Sequence, residues 1–257
     1  MIDEVFAHKD SIIHKIDPRF RIVGVCCYSF TVALLKDFDA LFVSLFFSII
    51  LAGFARLDFF ALLKRIMAIF GFLFFIWITL PLSYEGEALF KIGIFTATKE
   101  GVLYSSMITL KSISIALAFT SLAATMNINV LGNALNSLKL SEKFVHLLLI
   151  TYRYLFVFKK EYERLFRAAK IRGFKPKTNM HSYKTFAGFA GMLFIKAVKR
   201  GERVHLAMLC RGFKGRFYCL EEFRIQVKDW IFAAIMSFCL IFMIILNIID
   251  IIGNKFL

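Results

Sequence analysis

The charged positions fall into clusters that leave five long uncharged stretches, and the lengths of these stretches set the first constraint. No Asp, Glu, Lys or Arg occurs in residues 22–35, 40–55, 66–84, 112–138 or 230–249, which are 14, 16, 19, 27 and 20 residues long. A helix rises about 1.5 Å per residue and the hydrocarbon core of a bilayer is about 30 Å thick, so about 20 apolar residues cross it. The last three stretches therefore predict membrane-spanning helices, the fourth extending upstream through residues 102–110 across Lys111. The first two are short. With Lys36, Asp37 and Asp39 between them they predict a hairpin with a wet tip, in which Arg19 and Arg21 snorkel to lengthen the first span. The alternative is a pair of buried or re-entrant segments. A cleaved signal peptide is not expected, because Asp3, Glu4, Asp10 and Asp17 precede the first apolar run.

Composition narrows the class. Hydrophobic residues make up 59% of the 257, with 32 Phe, three Pro and 14 Gly. Globular chains run near about 45–50% apolar, so the composition argues against a soluble enzyme and excludes a disordered chain. The expected fold is an all-α integral membrane protein with about five transmembrane helices plus a cytoplasmic pair of long helices.

Charge gives the orientation. The chain carries 33 Lys and Arg against 18 Asp and Glu, an excess of 15. Residues 126–228 alone hold 21 of the cations and six of the acids, which is the same excess. Among the short pieces, residues 1–21 hold four cations and 56–65 hold three, whereas the hairpin tip holds one and 85–101 two. Cytoplasmic loops are enriched in Lys and Arg, so the N-terminus and residues 126–228 are expected in the cytoplasm. The predicted organisation is then 1–125 as N-terminal transmembrane helices, 126–228 as a cytoplasmic helical region and 229–257 as a C-terminal transmembrane helix.

Within the basic region, Ser141 is placed to cap a helix that begins with Glu142 and Lys143. Residues 144–158 are nearly all apolar, with Arg153 among them. Beyond them Phe158, Tyr162, Leu165, Phe166 and Ala169 recur at helical spacing among charged positions. One long helix is predicted, stopped by Gly173 with Pro176 after it, and a second from about residue 183 to 211, stopped by Gly212. Their ends repeat. Residues 168–174 read Ala-Ala-Lys-Ile-Arg-Gly-Phe and residues 207–213 read Ala-Met-Leu-Cys-Arg-Gly-Phe, both Ala-x-x-x-Arg-Gly-Phe at an offset of 39. Ala and Arg at i and i+4 share a helix face, and a small Ala admits close approach of another surface. Arg in a last turn is favoured by the helix dipole, and its planar fork suits a carboxylate or backbone carbonyls on a partner. A single Arg-Gly is ordinary capping; two matched copies point to two equivalent partner sites.

Other chemistry is sparse. No G-x-x-x-x-G-K-[ST] occurs, so the chain does not cradle ATP in a P-loop. His8, His14, His146, His181 and His205 are scattered, and no metal site, cofactor or catalytic set is expected. Cys26, Cys27, Cys210, Cys219 and Cys239 lack C-x-x-C spacing and read as unpaired thiols. Lys111 interrupts a span, which makes it either a functional cation or, the preferred reading, a side chain snorkelling at the outer interface.

Four segments together resemble the transmembrane T component of energy-coupling-factor (ECF) transporters, nearest the cobalt-type CbiQ group. They are Ile16-Asp17-Pro18-Arg19, Thr151-Tyr152-Arg153-Tyr154, 168–174, and Arg203-Val204-His205-Leu206-Ala207-Met208 running into Arg211-Gly212-Phe213. Ile171 and Cys210 stand where the family often has Ala, and Ser141 where it often has Pro. The resemblance implies a non-catalytic scaffold in a bacterial or archaeal cytoplasmic membrane. Such a subunit holds a substrate-binding S component and grips two ABC-type ATPases through cytoplasmic coupling helices. It implies that Ala168, Arg172 and Gly173 form one ATPase-coupling motif and Ala207, Arg211 and Gly212 the other, and that the substrate is cobalt, with nickel or a vitamin as alternatives. A different class remains open: a membrane-anchored module whose basic hairpin grips anionic lipid or nucleic acid. Position-specific, salt-insensitive loss on removing either Arg separates the first reading from the second.

Overall fold

The computed structural model describes residues 13, 16–55, 59–83, 88–92, 95–214 and 226–256. His8, His14 and Cys219, and the readings attached to them, lie outside the described residues. The chain divides into two compact units, one of residues 132–222 and one of 2–131 with 223–257.

The second unit gathers the apolar stretches. Helices α1 (Pro18–Leu34), α2 (Phe38–Phe54), α3 (Phe59–Ser83) and α4 (Lys99–Leu122) precede the basic region, and α8 (Val227–Phe256) follows it. Between α3 and α4, strands β1 (Ala88–Ile92) and β2 (Phe95–Thr98) pair antiparallel where the sequence reading expected only a loop. Three segments, Leu62–Ser83, Lys99–Leu122 and Val227–Ile249, are long and apolar enough to cross a membrane, and α2 is a shorter apolar helix. Phe30, Phe46, Phe72, Phe74 and Phe238 lie exposed along these helices. That is the pattern of a multi-pass membrane protein, whose large apolar side chains face lipid.

Small residues bring the helices together. Helix α4 packs on α1, α2 and α3, and α8 on α1 and α2. Ser44 and Ser48 of α2 and Ser114, Ala118 and Ser121 of α4 are buried. With lipid outside, close backbone approach replaces the hydrophobic drive, so interfaces favour such side chains. The serine hydroxyls are satisfied locally, Ser44 donating to the Leu41 carbonyl at 2.7 Å and Ser121 to Ala118 at 2.9 Å. Tyr28, fully buried, donates to the Ser44 carbonyl at 2.7 Å and ties α1 to α2. A Cβ on Gly101 would sit 2.7 Å from the Pro81 Cα and 2.9 Å from the Leu80 carbonyl oxygen, so α3 meets α4 backbone to backbone there.

The uncharged stretch 112–138 is divided, α4 ending at Leu122 and α5 (Ile128–Ser137) beginning after a break. One expectation is corrected in this unit. Arg21 does not snorkel. It is buried, and its Nε and Nη2 donate to the Leu122 carbonyl at 3.1 and 2.8 Å, with a further bond from Nη2 to the Thr125 hydroxyl. A buried cation is tolerable on a helix C-terminus, where the last carbonyls lack partners and carry partial negative charge. Lys111 lies within α4 rather than at its start, and its Nζ donates to the Ala33 carbonyl at 3.1 Å at the end of α1. Asp17 caps α1 by accepting from the Arg19 N–H at 2.9 Å, with Pro18 at the first helical position. Its own N–H donates to Asp229 Oδ1 at 2.7 Å, which joins the start of α1 to the start of α8.

Candidate coupling site on the paired helices

The other unit is dominated by two long helices, α6 (Glu142–Ile171) and α7 (Met180–Cys210), of 30 and 31 residues. At about 1.5 Å per residue each is about 45 Å long. Helix α6 starts just after Ser141 as expected, although that side chain makes no capping bond. Packing of α5 on α6 leaves no room at Gly132, where a Cβ would lie 2.6 Å from Leu149 Cδ2. Asn179 caps α7, accepting from the Ser182 N–H at 3.0 Å, and the Ser182 hydroxyl in turn accepts from the Lys177 N–H at 3.0 Å.

Aromatic rings pin the turn between the helices. Phe174 packs edge-on against Phe186 and Phe189 of α7 at centroid distances of 5.8 and 6.3 Å, while Phe186 stacks on Phe166 of α6 at 6.5 Å. Phe189 meets Tyr162 of α6 at 6.4 Å. Such pairs contribute about 0.5–1.5 kcal/mol each beyond the area they bury. Further along, Lys196 of α7 donates to Glu161 of α6. That hydrogen bond is the main reason the Glu161 carboxyl is held below its ordinary range, with Arg164 and Arg200 adding to it.

Both helices end alike, in the way the repeat predicts. At the first end the Gly173 N–H donates to the Lys170 carbonyl at 3.0 Å and the Phe174 N–H to Ala169 at 3.0 Å. At the second, the Gly212 N–H donates to Leu209 at 2.9 Å and the Phe213 N–H to Met208 at 3.1 Å. These are two Schellman motifs in register, and each needs a left-handed residue past the cap. Gly173 and Gly212 supply it, with φ of +85° and +78°. Arg172 and Arg211 are the cap residues themselves, at φ/ψ of −80°/11° and −90°/10°.

Ala168, Arg172, Gly173, Ala207, Arg211 and Gly212 are all exposed. Among the described residues neither guanidinium takes a hydrogen-bond or ion-pair partner. Arg172 precedes the start of α7 and Arg211 ends it, so the two tips stand about one helix length, roughly 45 Å, apart. Sequence reasoning gave Phe174 no role beyond the motif, yet it seats the first tip. Its recurrence as Phe213 was the available signal. The Glu161–Lys196 tie had no such signal, since its partners lie 35 residues apart.

Two rigid ends of one shape, each offering an unpaired planar cation beside a small Ala, suit insertion into a partner's groove. Comparison with known proteins supplies the family. The family model CbiQ, described as cobalt transport protein, matches residues 9–219. The energy-coupling factor transporter transmembrane protein EcfT of Bacillus subtilis is 25% identical over 216 residues, covering 80% of this chain and 82% of the relative. EcfT of Macrococcus caseolyticus is 27% identical over 221 residues, 82% and 83% of the two chains. An uncharacterised protein of Methanocaldococcus jannaschii is 26% identical over 263 residues, 96% and 92% of the two. With most of its length inside the family match, this chain belongs to the CbiQ cobalt transport protein family, the one its paired Arg-Gly helix ends resemble.

Proposed function

We propose that this chain is the transmembrane T component of an ECF importer, a non-catalytic scaffold that links two ABC-type ATPases to a membrane S component. The single observation that carries the reading is the pair of matched Schellman ends, each presenting an exposed guanidinium with no partner among the described residues. Ala168, Arg172 and Gly173 dock on one ATPase, and Ala207, Arg211 and Gly212 on the other. The names of the EcfT relatives support the assignment to an energy-coupling factor transporter.

In mechanism, ATP binding closes the ATPase pair, the two tips follow their grooves, and the stiff helices carry that displacement to the S component. Rigidity is the requirement, and the aromatic seat around Phe174 and the Glu161–Lys196 tie provide it between α6 and α7. In this reading residues 126–228 and the N-terminus lie in the cytoplasm of a bacterial or archaeal cell, with 1–125 and 229–257 in the cytoplasmic membrane; the four and three cations of 1–21 and 56–65, against one at the hairpin tip and two in 85–101, support that orientation. Cobalt is the proposed substrate, supported by the family's description alone. The metal is bound by the S component and not by this chain.

The test is the Arg172→Ala/Arg211→Ala double variant in the complex purified from its native membrane. ATPase retention and ATP-driven uptake are both expected to fall at least about tenfold, since each tip loses a charge-assisted contact. Normal retention and uptake would refute the assignment. Retention that instead tracked total basic charge, whichever Arg was removed, would favour the anionic lipid or nucleic acid reading.

A further inference from the structure

The two tips share a backbone but not a surface. Aligned at the 39-residue offset, 164–175 and 203–214 keep Arg164/Arg203, Ala168/Ala207, Arg172/Arg211 and Lys175/Lys214. They differ at six positions, and at two of these, three residues apart, a cation is exchanged for an apolar side chain: Arg167 and Lys170 in the first tip are Leu206 and Leu209 in the second. Residues at i and i+3 lie on one helix face, so a basic patch in one tip becomes an apolar patch in the other. The patches are open. The Arg167 side chain is 74% exposed, and Leu206 and Leu209 are 60% and 48% exposed. Arg167 reaches Glu163 at 3.8 Å, an exposed pair that leaves most of its charge available. Lys170 stands over the Phe166 ring at 4.9 Å, which fixes its ammonium beside the tip. No acid occurs in 164–175.

We infer that the tips fit two chemically different grooves on the ATPase pair rather than the equivalent sites the repeat alone suggests: the first a groove rimmed by carboxylates that face Arg167 and Lys170, the second an apolar groove that takes Leu206 and Leu209. The inference rests on the coupling role proposed above and adds what each partner surface must be made of. Two cations pressed against an apolar wall would lose their hydration without a counter-charge, and two leucines facing carboxylates would leave their apolar surface uncovered. The shared Arg-Gly end gives both tips the same mode of insertion, and the flanking pair sets which groove each one prefers.

The experiment follows ATPase retention by the full complex against salt, with the tip arginines intact. Wild type should release its ATPases as salt rises. Arg167→Leu/Lys170→Leu should flatten that dependence, because the screened contacts are gone. Leu206→Gln/Leu209→Gln should weaken retention at every salt concentration and leave the slope unchanged. All four side chains are exposed, so neither variant removes a packed group. Equal changes of slope in both variants, or no change in either, would overturn the inference. A wild-type chain that retained no ATPase at any salt would refute the coupling role itself, a distinct result.

Discussion

Replacing Gly173 by Ala separates the cost of a backbone conformation from the cost of a contact. A Cβ at this position meets no atom within 4 Å, so nothing is crowded. The φ of +85° remains, and an L-residue held in the left-handed region costs roughly 1–2 kcal/mol. Ala also lowers the entropy of the unfolded chain relative to Gly, but that gain helps only where φ is compatible. Gly188 and Gly201 are the internal control: both lie inside α7 with nothing within 4 Å, and Ala there is better by about 1 kcal/mol. The same substitution thus has opposite signs 15 and 28 residues apart. For a chain of this size roughly 2–4 °C accompanies each kcal/mol. Gly173→Ala should then lower the midpoint of thermal unfolding in detergent by roughly 2–8 °C, while Gly188→Ala and Gly201→Ala raise it. Gly173→Asn should recover part of the loss, because Asn tolerates the left-handed region. A Gly173→Ala midpoint equal to or above wild type would refute the claim that the Schellman end holds the first Arg in place.

Arg21→Met should destabilise the transmembrane unit by about 1.5–3 kcal/mol, read by denaturant titration, since the Leu122 carbonyl loses its charged donor; Arg21→Lys should recover part of this. Gly101→Ala should cost about 1–3 kcal/mol in the same assay, because its Cβ meets backbone rather than a movable side chain. The Glu161 carboxyl is held below its ordinary value near 4.5, so its tie to Lys196 is fully present above that value and is lost as pH falls through the lowered one. Glu161→Gln should therefore be less stable than wild type at pH 7, and the two unfolding midpoints should converge in acid. A gap that stayed constant down to pH 3 would dismiss the pair as a tie between α6 and α7.

What could be read in advance divides along a physical line. The apolar helices and both tips are written in contiguous residues, because span length, Gly stops and capping act over a few positions. The shape of both helix ends is therefore legible in residues 168–174 and 207–213 alone. What escaped prediction is set by residues far apart in the chain. Nothing local to the 27 uncharged residues of 112–138 marks the helix end at Leu122, whose carbonyl is taken by Arg21, 101 positions away. Lys111 likewise has nothing local to name its acceptor, the Ala33 carbonyl at the end of α1, 78 positions away. In both cases a cation inside the membrane unit finds a helix C-terminus rather than an acid. A carboxylate partner would add a second charge to desolvate, whereas a helix end already carries unsatisfied carbonyls that must find donors. Arg172 and Arg211 occupy the same kind of position, at helix C-termini, but turn their guanidiniums outward and leave them unpaired. The four cations differ in their partners: Arg21 and Lys111 find carbonyls within the chain, whereas the two tips find no partner among the described residues. On that contrast rests the reading of Arg172 and Arg211 as contacts to another protein rather than as caps of their own helices.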